Sequence, residues 1–419
     1  MRGFFREFTS NRNTGHRLSS TSKHSRHHWP RRCSALRLAV ALAAVIGFAT
    51  PASAQNEVTV EQIVIPGTAK PIPVSLSGFT GEAASVIQFD LTVQGFKFTG
   101  PDEAQFLLSG SNNGNIVGRA TDRINKSVFV NKSYTGATLR RQAHAFVDEF
   151  LAAIGRKGIG GTRIAFKVDT GANSEVYVSD FDGHGAQAVT SDNTIVAAPA
   201  WRPGRLALYY TSYRSGNPDI FAHDLGSGQR QAVARYPGLN TSAAPSPDGS
   251  KVAMILSKSG SPDVYVCDAD GSNLKRLTMT KEDESSPCWS PDGQWICFAA
   301  KINGRRGLGK VPASGGEVQR ISVGGVSNPS EPDWSPDGKW IVFTAQMGGF
   351  EICVVPAGGG TATILVSGED PSWAPNSRTV VFTRRQSGRR TLSLLDVPTK
   401  QTKDVSRISG SNSQPSWAK

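Results

Sequence analysis

From about residue 160 onward, short apolar runs alternate with polar turns at a regular interval. The best-preserved unit extends from Ser286 to Phe298, and its two apolar runs flank the turn Ser290-Pro291-Asp292-Gly293. Proline presets φ at the first central turn position, aspartate suits the second, and glycine supplies the positive φ that follows. The pattern therefore predicts a β-hairpin in which Pro291, Asp292 and Gly293 have structural roles.

This hairpin recurs six times, intact or eroded, and a tryptophan or its substitute marks each copy. The marked positions are Trp201, Pro245, Trp289, Trp334, Trp373 and Trp417, spaced 44, 44, 45, 39 and 44 residues apart. A period in the forties with a turn at one phase is typical of β-propellers, in which each repeat forms a four-stranded blade. We predict a mainly β fold, a six-bladed β-propeller over residues 161–419 preceded by a small α/β domain.

The two ends of the repeat region complement each other. Residues 414–417 form an inner strand with nothing after it, whereas strands at 162–166, 175–179 and 186–190 have no inner strand before them. One shared blade would close the ring and remove the free edges that otherwise promote aggregation.

Before the repeats, the apolar spacing changes to that of a helix. Leu139, Ala143, Phe146, Phe150 and Ile154 are three or four residues apart, which predicts a helix over about 137–154. The remaining predicted elements are a second helix at 81–93 and strands at 72–76, 105–108, 115–120 and 127–131. Together they predict an α/β domain over residues 71–160.

The first 54 residues have the pattern of an export signal. A basic stretch precedes an apolar run at 38–48, and Ala52-Ser53-Ala54 follows. The run is too short to span a bilayer, and its small-x-small ending is typical of a secretory cleavage site. We predict a signal peptide over 1–54, cleaved after Ala54; an uncleaved anchor is the alternative.

Residues 55–70 mix apolar and polar positions and are too few to fold alone. The apolar positions are Val58, Val60, Ile63 and Ile65. We predict an N-terminal arm that docks between domains or adds a strand to a partner. A disordered tail is the alternative.

The formal charge of +12 does not indicate a nucleic-acid partner. Residues 1–54 hold nine basic residues and one acidic residue, a net +8, so the rest of the chain carries only +4. That remainder has no arginine-rich stripe and no aromatic and basic platform. Basicity is mainly a property of the leader.

The sequence gives little sign of catalytic or metal chemistry. It has no Gly-x-Ser-x-Gly elbow, and Asp180-x-Asp182-Gly183 lacks the later ligands of a calcium loop. Histidines after the leader are only His144, His184 and His223. We predict no catalytic residue, cofactor or metal site.

The cysteines after the leader are Cys267, Cys288, Cys297 and Cys353. They are either buried free thiols or include a Cys288–Cys297 disulfide.

The loops that lead into each inner strand should surround one mouth of the propeller. They comprise residues 239–242, 282–286, 328–333, 369–370 and 411–413. We expect an acidic funnel there that suits a protein or cationic partner. Its members would be Glu282, Asp283, Glu284, Glu331, Asp333, Glu369 and Asp370.

The order of leader, arm, α/β domain and hairpin repeats resembles the TolB family of periplasmic proteins. Three stretches carry the resemblance: Ala69–Val74, Thr162–Phe166 and Tyr209–Ile220. The resemblance implies a non-enzymatic, monomeric, periplasmic part of the Tol-Pal system that does not span the membrane. It implies a role in outer-membrane integrity and in constriction during cell division. The propeller mouth would bind the lipoprotein Pal, and the arm would bind TolA.

By position, the resemblance assigns particular residues to these partners. The expected Pal-facing residues are Leu239, Asn240, Ser242, Ser285, Glu331, Asp370 and Asn412, and those expected to face TolA are Val58, Val60, Ile63 and Ile65. Two alternatives remain at the channel mouth. An exported propeller enzyme would need converging histidine, arginine or acidic side chains, and a glycan-binding module would need exposed aromatic rings.

Overall fold

A computed structural model describes residues 65–280, 282–302 and 304–419. The predicted signal peptide and three predicted arm residues, Val58, Val60 and Ile63, lie outside the described residues. Within the described ranges, no helix is long and apolar enough to cross a membrane.

The first part of the described chain is a five-stranded sheet with two helices. Its elements are β1 (Ile72–Ser77), α1 (Gly81–Thr92), β2 (Phe96–Phe98), β3 (Phe106–Ser111), β4 (Ile116–Asp122), β5 (Val128–Tyr134) and α2 (Leu139–Ala153). The strand order is β2-β1-β3-β4-β5. Both predicted helices are present, whereas β2 was not predicted because three residues are too few to show a period.

Two features of the sequence favour helix α2: a capping residue at its N-terminus and an apolar stripe along one face. The Thr138 hydroxyl caps its N-terminus by accepting the backbone N–H of Arg141 at 3.3 Å. The stripe buries Phe146 and Phe150 completely against the sheet, where Phe150 makes an edge contact with Phe106, 5.3 Å between ring centroids. The sheet and helices therefore share one aromatic core.

The second part is a propeller of six four-stranded blades, together with one separate pair of short parallel strands, Val323–Gly324 and Gly360–Thr361. Its strands are β6 (Arg163–Asp169), β7 (Ser174–Asp180), β8 (Gln187–Ala188), β9 (Val196–Trp201), β10 (Ala207–Ser212), β11 (Asp219–Asp224), β12 (Arg230–Ala234), β13 (Asn240–Pro245), β14 (Lys251–Leu256), β15 (Asp263–Asp268), β16 (Lys275–Arg276), β17 (Glu284–Trp289), β18 (Trp295–Ile302), β19 (Arg305–Pro312), β20 (Gln319–Ile321), β21 (Val323–Gly324), β22 (Pro329–Trp334), β23 (Trp340–Gln346), β24 (Phe350–Pro356), β25 (Gly360–Thr361), β26 (Thr363–Ser367), β27 (Glu369–Trp373), β28 (Thr379–Gln386), β29 (Arg389–Asp396), β30 (Gln401–Asp404) and β31 (Ser411–Trp417).

Blades 1 to 5 each begin with an inner strand, namely β9, β13, β17, β22 and β27. Blade 6 is shared between the ends of the repeat region, in the order β31-β6-β7-β8. Strand β31 pairs antiparallel with β6, from Ser411 opposite Asp169 to Trp417 opposite Ile164. The predicted six blades and their closure are both confirmed.

The α/β part packs on the end of the propeller that carries the hairpin turns. In the turn before β28, Asn376 donates to the Gln94 side chain at 3.3 Å, and nearby the Thr379 hydroxyl donates to the Val93 carbonyl at 3.3 Å. In the turn after β7, buried Asp182 forms an ion pair with buried Arg140 of α2. The loops that precede the inner strands therefore open at the opposite end, which we call the mouth.

Candidate functional site

The inner strands of the six blades line a central channel with a volume of about 530 Å³. Each inner strand contributes equivalent positions, so that the lining is six copies of one short segment. In five of the six inner strands, the residue two positions before the tryptophan is a proline. These prolines are Pro199, Pro287, Pro332, Pro371 and Pro415, and Ala243 occupies the equivalent position in blade 2. Pro-x-Trp is thus the repeated channel sequence.

The residue before each of these positions has a left-handed backbone. These six residues, which we call the channel ring, are Ala198 (φ 50°), Ser242 (55°), Ser286 (51°), Glu331 (51°), Asp370 (55°) and Gln414 (51°). Each lies in a β-bulge, where the register of the inner strand shifts against its neighbour. A positive φ costs a residue other than glycine roughly 1–2 kcal/mol. Strain repeated in six blades around one channel is typical of a functional site.

Three neighbouring members of the channel ring hold one another through side chain to backbone bonds. Glu331 Oε2 accepts the backbone N–H of Asp370 at 3.0 Å. Asp370 Oδ2 accepts the N–H of Gln414 at 3.1 Å, and Gln414 Oε1 accepts the N–H of Ala198 at 2.9 Å. In this half of the channel ring, each long side chain reaches the next blade.

The other half of the channel ring is built from small side chains. Ala198, Ser242 and Ser286 occupy the equivalent positions of blades 1 to 3. Within the part of the chain that the structure describes, none of these three side chains bonds to the backbone of the next ring residue. This open half of the channel ring has room for acceptor groups from a ligand.

Asp370, in the occupied half of the channel ring, has a perturbed pKa. Burial, with help from the negative charge of Glu331, raises the pKa of Asp370 to about 7. The Thr383 hydroxyl donates to Asp370 Oδ2 at 3.1 Å, and the Thr344 hydroxyl donates to Glu331 Oε2 at 2.7 Å. Asp370 is therefore partly protonated near neutral pH, which limits the negative charge in the channel.

Three members of the predicted acidic funnel, Glu331, Asp333 and Asp370, line the channel, but four of the seven members are buried or paired. Glu284 is buried and accepts the Thr280 hydroxyl at 2.7 Å, whereas Glu369 is paired with Arg385 at 2.8 Å. Two further acids have lysine partners, since Lys419 lies 2.6 Å from Asp333 and Lys301 lies 3.9 Å from Glu282. Arg385 belongs to β28, Lys301 belongs to β18 and Lys419 follows β31, and these cations partly offset charges that look free in the sequence.

The predicted mouth residues fall into three groups. Ser242, Glu331 and Asp370 line the channel, whereas Leu239, in the loop before β13, and Ser285, in β17, are half-buried. The other two are buried: Asn240 and Asn412 are at most 1% exposed. The Asn240 side chain holds its own loop, accepting the Tyr236 N–H at 2.9 Å and donating to the Pro218 carbonyl at 2.9 Å.

Three channel-ring members were not among the predicted contact residues: Ala198 and Gln414, which were missed, and Ser286, which was predicted only as part of the loop 282–286. The recurring Pro-x-Trp spacing marks these positions, because each of the three immediately precedes its proline. The last predicted arm residue, Ile65, is 59% exposed and begins a turn in which Thr68 N–H donates to its carbonyl at 3.3 Å.

The cysteines and histidines of the propeller and α/β part have structural surroundings. Cys288 and Cys297 lie opposite each other across a hairpin as buried free thiols, and so the disulfide alternative does not apply in this structure. His144 Nδ1 lies 2.6 Å from Asp90 Oδ2 in a buried pair. Burial lowers the pKa of His223, which packs edge-on against Tyr210. Neither histidine reaches the channel.

Comparison with known proteins identifies a family for this chain. The sequence profile of the TolB β-propeller domain matches residues 150–419. Among curated relatives, the Tol-Pal system protein TolB of Polaromonas naphthalenivorans is 31% identical over 207 residues, which cover 41% of this chain and 48% of that protein. The protein of the same name from Polaromonas sp. is 37% identical over 114 residues, covering 26% of this chain and 27% of the relative. The chain therefore spans between about a quarter and a half of the length of these relatives.

Solved structures show the same fold. TolB from Acinetobacter baumannii superposes with a TM-score of 0.75 at 21% identity and covers 84% of this chain and 98% of the other. A chain of the nidogen/laminin complex matches with a TM-score of 0.51 at 11% identity, covering 62% of this chain and 99% of that one. The propeller alone is less than two thirds of the chain, whereas the superposition on TolB covers 84% of it. The superposition therefore extends beyond the propeller into the α/β part.

Proposed function

The chain belongs to the TolB β-propeller family, and on that premise we propose that it is a non-enzymatic, periplasmic component of the Tol-Pal cell-envelope system. Its propeller mouth binds the lipoprotein Pal, and its N-terminal arm binds TolA. In this role it supports outer-membrane integrity and constriction during cell division. The half-open channel ring is the observation on which the proposal rests.

The position of the channel ring favours a protein ligand at the mouth. The α/β part packs on turns at the hairpin end, whereas the mouth loops lie at the opposite end of the inner strands. Small side chains at Ala198, Ser242 and Ser286 leave one side of the channel free for groups of a partner. A loop with carbonyl or carboxylate oxygens could bond there as Glu331 and Gln414 do in the occupied half.

We assign the partner contacts to Leu239, Ser242, Ser285, Glu331 and Asp370. Asn240 and Asn412 contribute by holding the shape of their loops, since both side chains are buried.

The two alternatives, a glycan-binding module and an exported enzyme, are less well supported. The tryptophans of the repeat, from Trp201 to Trp417, are at most 8% exposed and therefore offer no stacking surface for a sugar. For an enzyme, the channel offers acidic side chains such as Glu331 and Asp370 but no histidine among the described residues, because the histidines described above lie elsewhere.

The C-terminal end of the predicted arm is hydrogen-bonded to the propeller. Gly67 N–H donates to the Val397 carbonyl at 2.9 Å, and Ala69 N–H donates to the Pro398 carbonyl at 3.0 Å. Both acceptors belong to the turn between β29 and β30, at the hairpin end. We propose that the residues before this anchor are the part that TolA binds, including Val58, Val60, Ile63 and exposed Ile65.

A designed closure of the channel ring tests the proposal at the mouth. Gln414 shows that glutamine fits the left-handed position and caps the backbone of the next blade. Ser242→Gln and Ser286→Gln together should therefore fill the open half without loss of stability. We expect the soluble domain of Pal to bind this double variant at least about tenfold more weakly, as measured by isothermal titration calorimetry.

Matched variants separate closure from simple loss of serine. Ser242→Ala with Ser286→Ala leaves the channel ring open and should bind Pal within about twofold of the parent. Deletion of residues 55–64 should abolish TolA binding and leave the Gly67 anchor in place. Equal Pal affinity in the closed and open variants, with both folded, would remove the channel from the proposed function.

A further inference from the structure

Three arginines that lack an acidic partner meet at one cleft of the propeller. Elsewhere, buried carboxylates hold the arginines of the outer strands; Arg276, for example, pairs with Asp263 at 2.7 Å. Among the described residues, Arg305, Arg306 and Arg320 have no such partner, and all three are exposed. They line a cavity of about 600 Å³ between blade 3 and the segment that leads into blade 4. We call it the basic cleft.

The strands set the spacing of these cations. Arg305 and Arg306 open β19, and Lys301 of β18 lies directly opposite Arg306. Arg320 comes from β20, where it stands opposite Gly309. Its guanidinium lies over Gly307, since a Cβ built there would be 3.7 Å from Arg320 Nε. Three arginines without an acidic partner, together with Lys301, which lies 3.9 Å from Glu282, therefore line one cavity.

Apolar residues also line the basic cleft, beside Ser327 and Asn328. Ile321, Val323, Val326 and Pro329 line it, and the two valines are half-buried. Pro329 begins β22, the inner strand of blade 4, so that the cleft opens at the mouth end of the propeller. The basic cleft thus offers both cationic and apolar groups beside the proposed partner surface.

We propose that the basic cleft binds an extended acidic segment of a protein partner, with aspartate or glutamate next to an apolar residue. Guanidinium groups pair well with carboxylates in two-pronged geometry. Exposed ion pairs are weak by themselves, so a lone oxyanion would gain little, whereas an adjacent apolar side chain adds burial against Val323 and Val326. This proposal rests on the proposed function in one respect, namely that a protein partner binds at the mouth.

A peptide titration tests the basic cleft without any lipoprotein. The probe is the hexapeptide Glu-Leu-Glu-Leu-Glu-Leu, added to nitrogen-15 labelled protein while the arginine Nε–H signals are followed by NMR. We expect saturable shifts of the Arg305, Arg306 and Arg320 signals and none for Arg389, which opens β29 at the equivalent place in blade 5. Arg305→Gln with Arg320→Gln should weaken the peptide about tenfold.

Three controls define what would overturn this assignment. Arg205→Gln with Arg389→Gln removes the same charge from exposed arginines outside the cleft and should change peptide affinity less than about twofold. Inorganic phosphate that produces the same saturable shifts at equal concentration would make the cleft a simple oxyanion site. Equal affinity for a Gln-Leu repeat, or no shift at all, would also overturn the proposal. Because these assays contain no Pal, a failure of Pal binding leaves their outcome unaffected.

Discussion

The indole Nε1 of Trp417 donates a hydrogen bond to the hydroxyl of Thr162 at 2.9 Å, across 255 residues of sequence. Thr162 precedes β6 and Trp417 ends β31, so that this bond lies where the two parts of blade 6 are joined. The Trp417 ring also stacks on Phe181, with centroids 6.2 Å apart, at the boundary with the α/β part. One side chain therefore connects ring closure with domain packing.

We expect Trp417→Ala to lower the free energy of unfolding by about 3–5 kcal/mol, because a large side chain that is 2% exposed leaves a cavity. Trp417→Phe keeps most of the packing and should cost less than the alanine variant. Urea unfolding followed by circular dichroism measures both. The control is Trp340→Ala, since Trp340 is half-buried in blade 4. Equal losses at Trp340 and Trp417 would contradict a special role for the closing blade.

The pKa of Asp370 predicts how stability depends on pH. Because its pKa is raised to about 7, the folded protein binds a proton that the unfolded chain releases near its usual pKa of 3.8. Between these values the folded state holds more protons, so stability falls as pH rises through the window. Asp370→Asn keeps an acceptor for the Gln414 N–H, and because asparagine does not titrate, it removes this loss of stability at higher pH.

We therefore expect Asp370→Asn to be more stable than the parent by roughly 1–3 kcal/mol at pH 8 and nearly equal to it at pH 4. Urea unfolding at pH 4, 6 and 8 gives the comparison. Asp248→Asn serves as the control, because hydrogen bonds from Ser246 and Ser250 lower the pKa of that exposed aspartate to about 2. A stability difference that does not change between pH 4 and pH 8 would exclude titration of Asp370 as its cause.

The repeat was predictable because its signals are local. The Pro-Asp-Gly turn and its tryptophan lie within one hairpin, and the five intervals of 39 to 45 residues between the six copies leave few folds other than a propeller. Even the shared blade followed from counting strands at the two ends of the repeat region. The helices were predictable for the same reason, since an apolar stripe such as that from Leu139 to Ile154 is contained in one segment.

The chemistry of the mouth was less predictable because it depends on partners from other strands. Glu369 looks like a free charge in the sequence, but Arg385 lies 2.8 Å away across the blade. Asn240 looks like an exposed loop residue, but it turns inward because the loop backbone requires its donors and acceptors. The left-handed ring residues were likewise hidden, since the residue before a proline usually adopts an extended conformation.

The four cysteines of the propeller should be inert in the folded protein. Burial raises the pKa of the Cys267 and Cys353 thiols to about 12, so that almost no thiolate is present at neutral pH. Cys288 and Cys297 are equally buried. With protein purified without the leader, we expect no reaction with Ellman's reagent at pH 8 and four reactive thiols in guanidinium chloride. Two thiols after denaturation would indicate a disulfide between Cys288 and Cys297.

The buried ion pair between Arg140 and Asp182 should hold the α/β part on the propeller. Asp182→Ala leaves the Arg140 guanidinium, which is 4% exposed, with only Glu82 as a carboxylate partner at 3.1 Å. Removing one member of such a pair costs about 3–5 kcal/mol, because a charge remains buried without compensation. Replacing both, by Arg140→Met with Asp182→Leu, removes that penalty and should restore most of the stability.

Unfolding in urea gives the double-mutant cycle, and limited proteolysis at residues 155–161 reports separation of the two parts. We expect Asp182→Ala to speed cleavage there and the double replacement to return it toward the parent rate. Lys132→Ala is the control, because it breaks an exposed pair with Glu149 within the α/β part and should cost less than about 1 kcal/mol. Additive losses in the cycle would mean that Arg140 and Asp182 act independently, and the attachment would then depend on contacts such as Phe181 with Phe89 and His144.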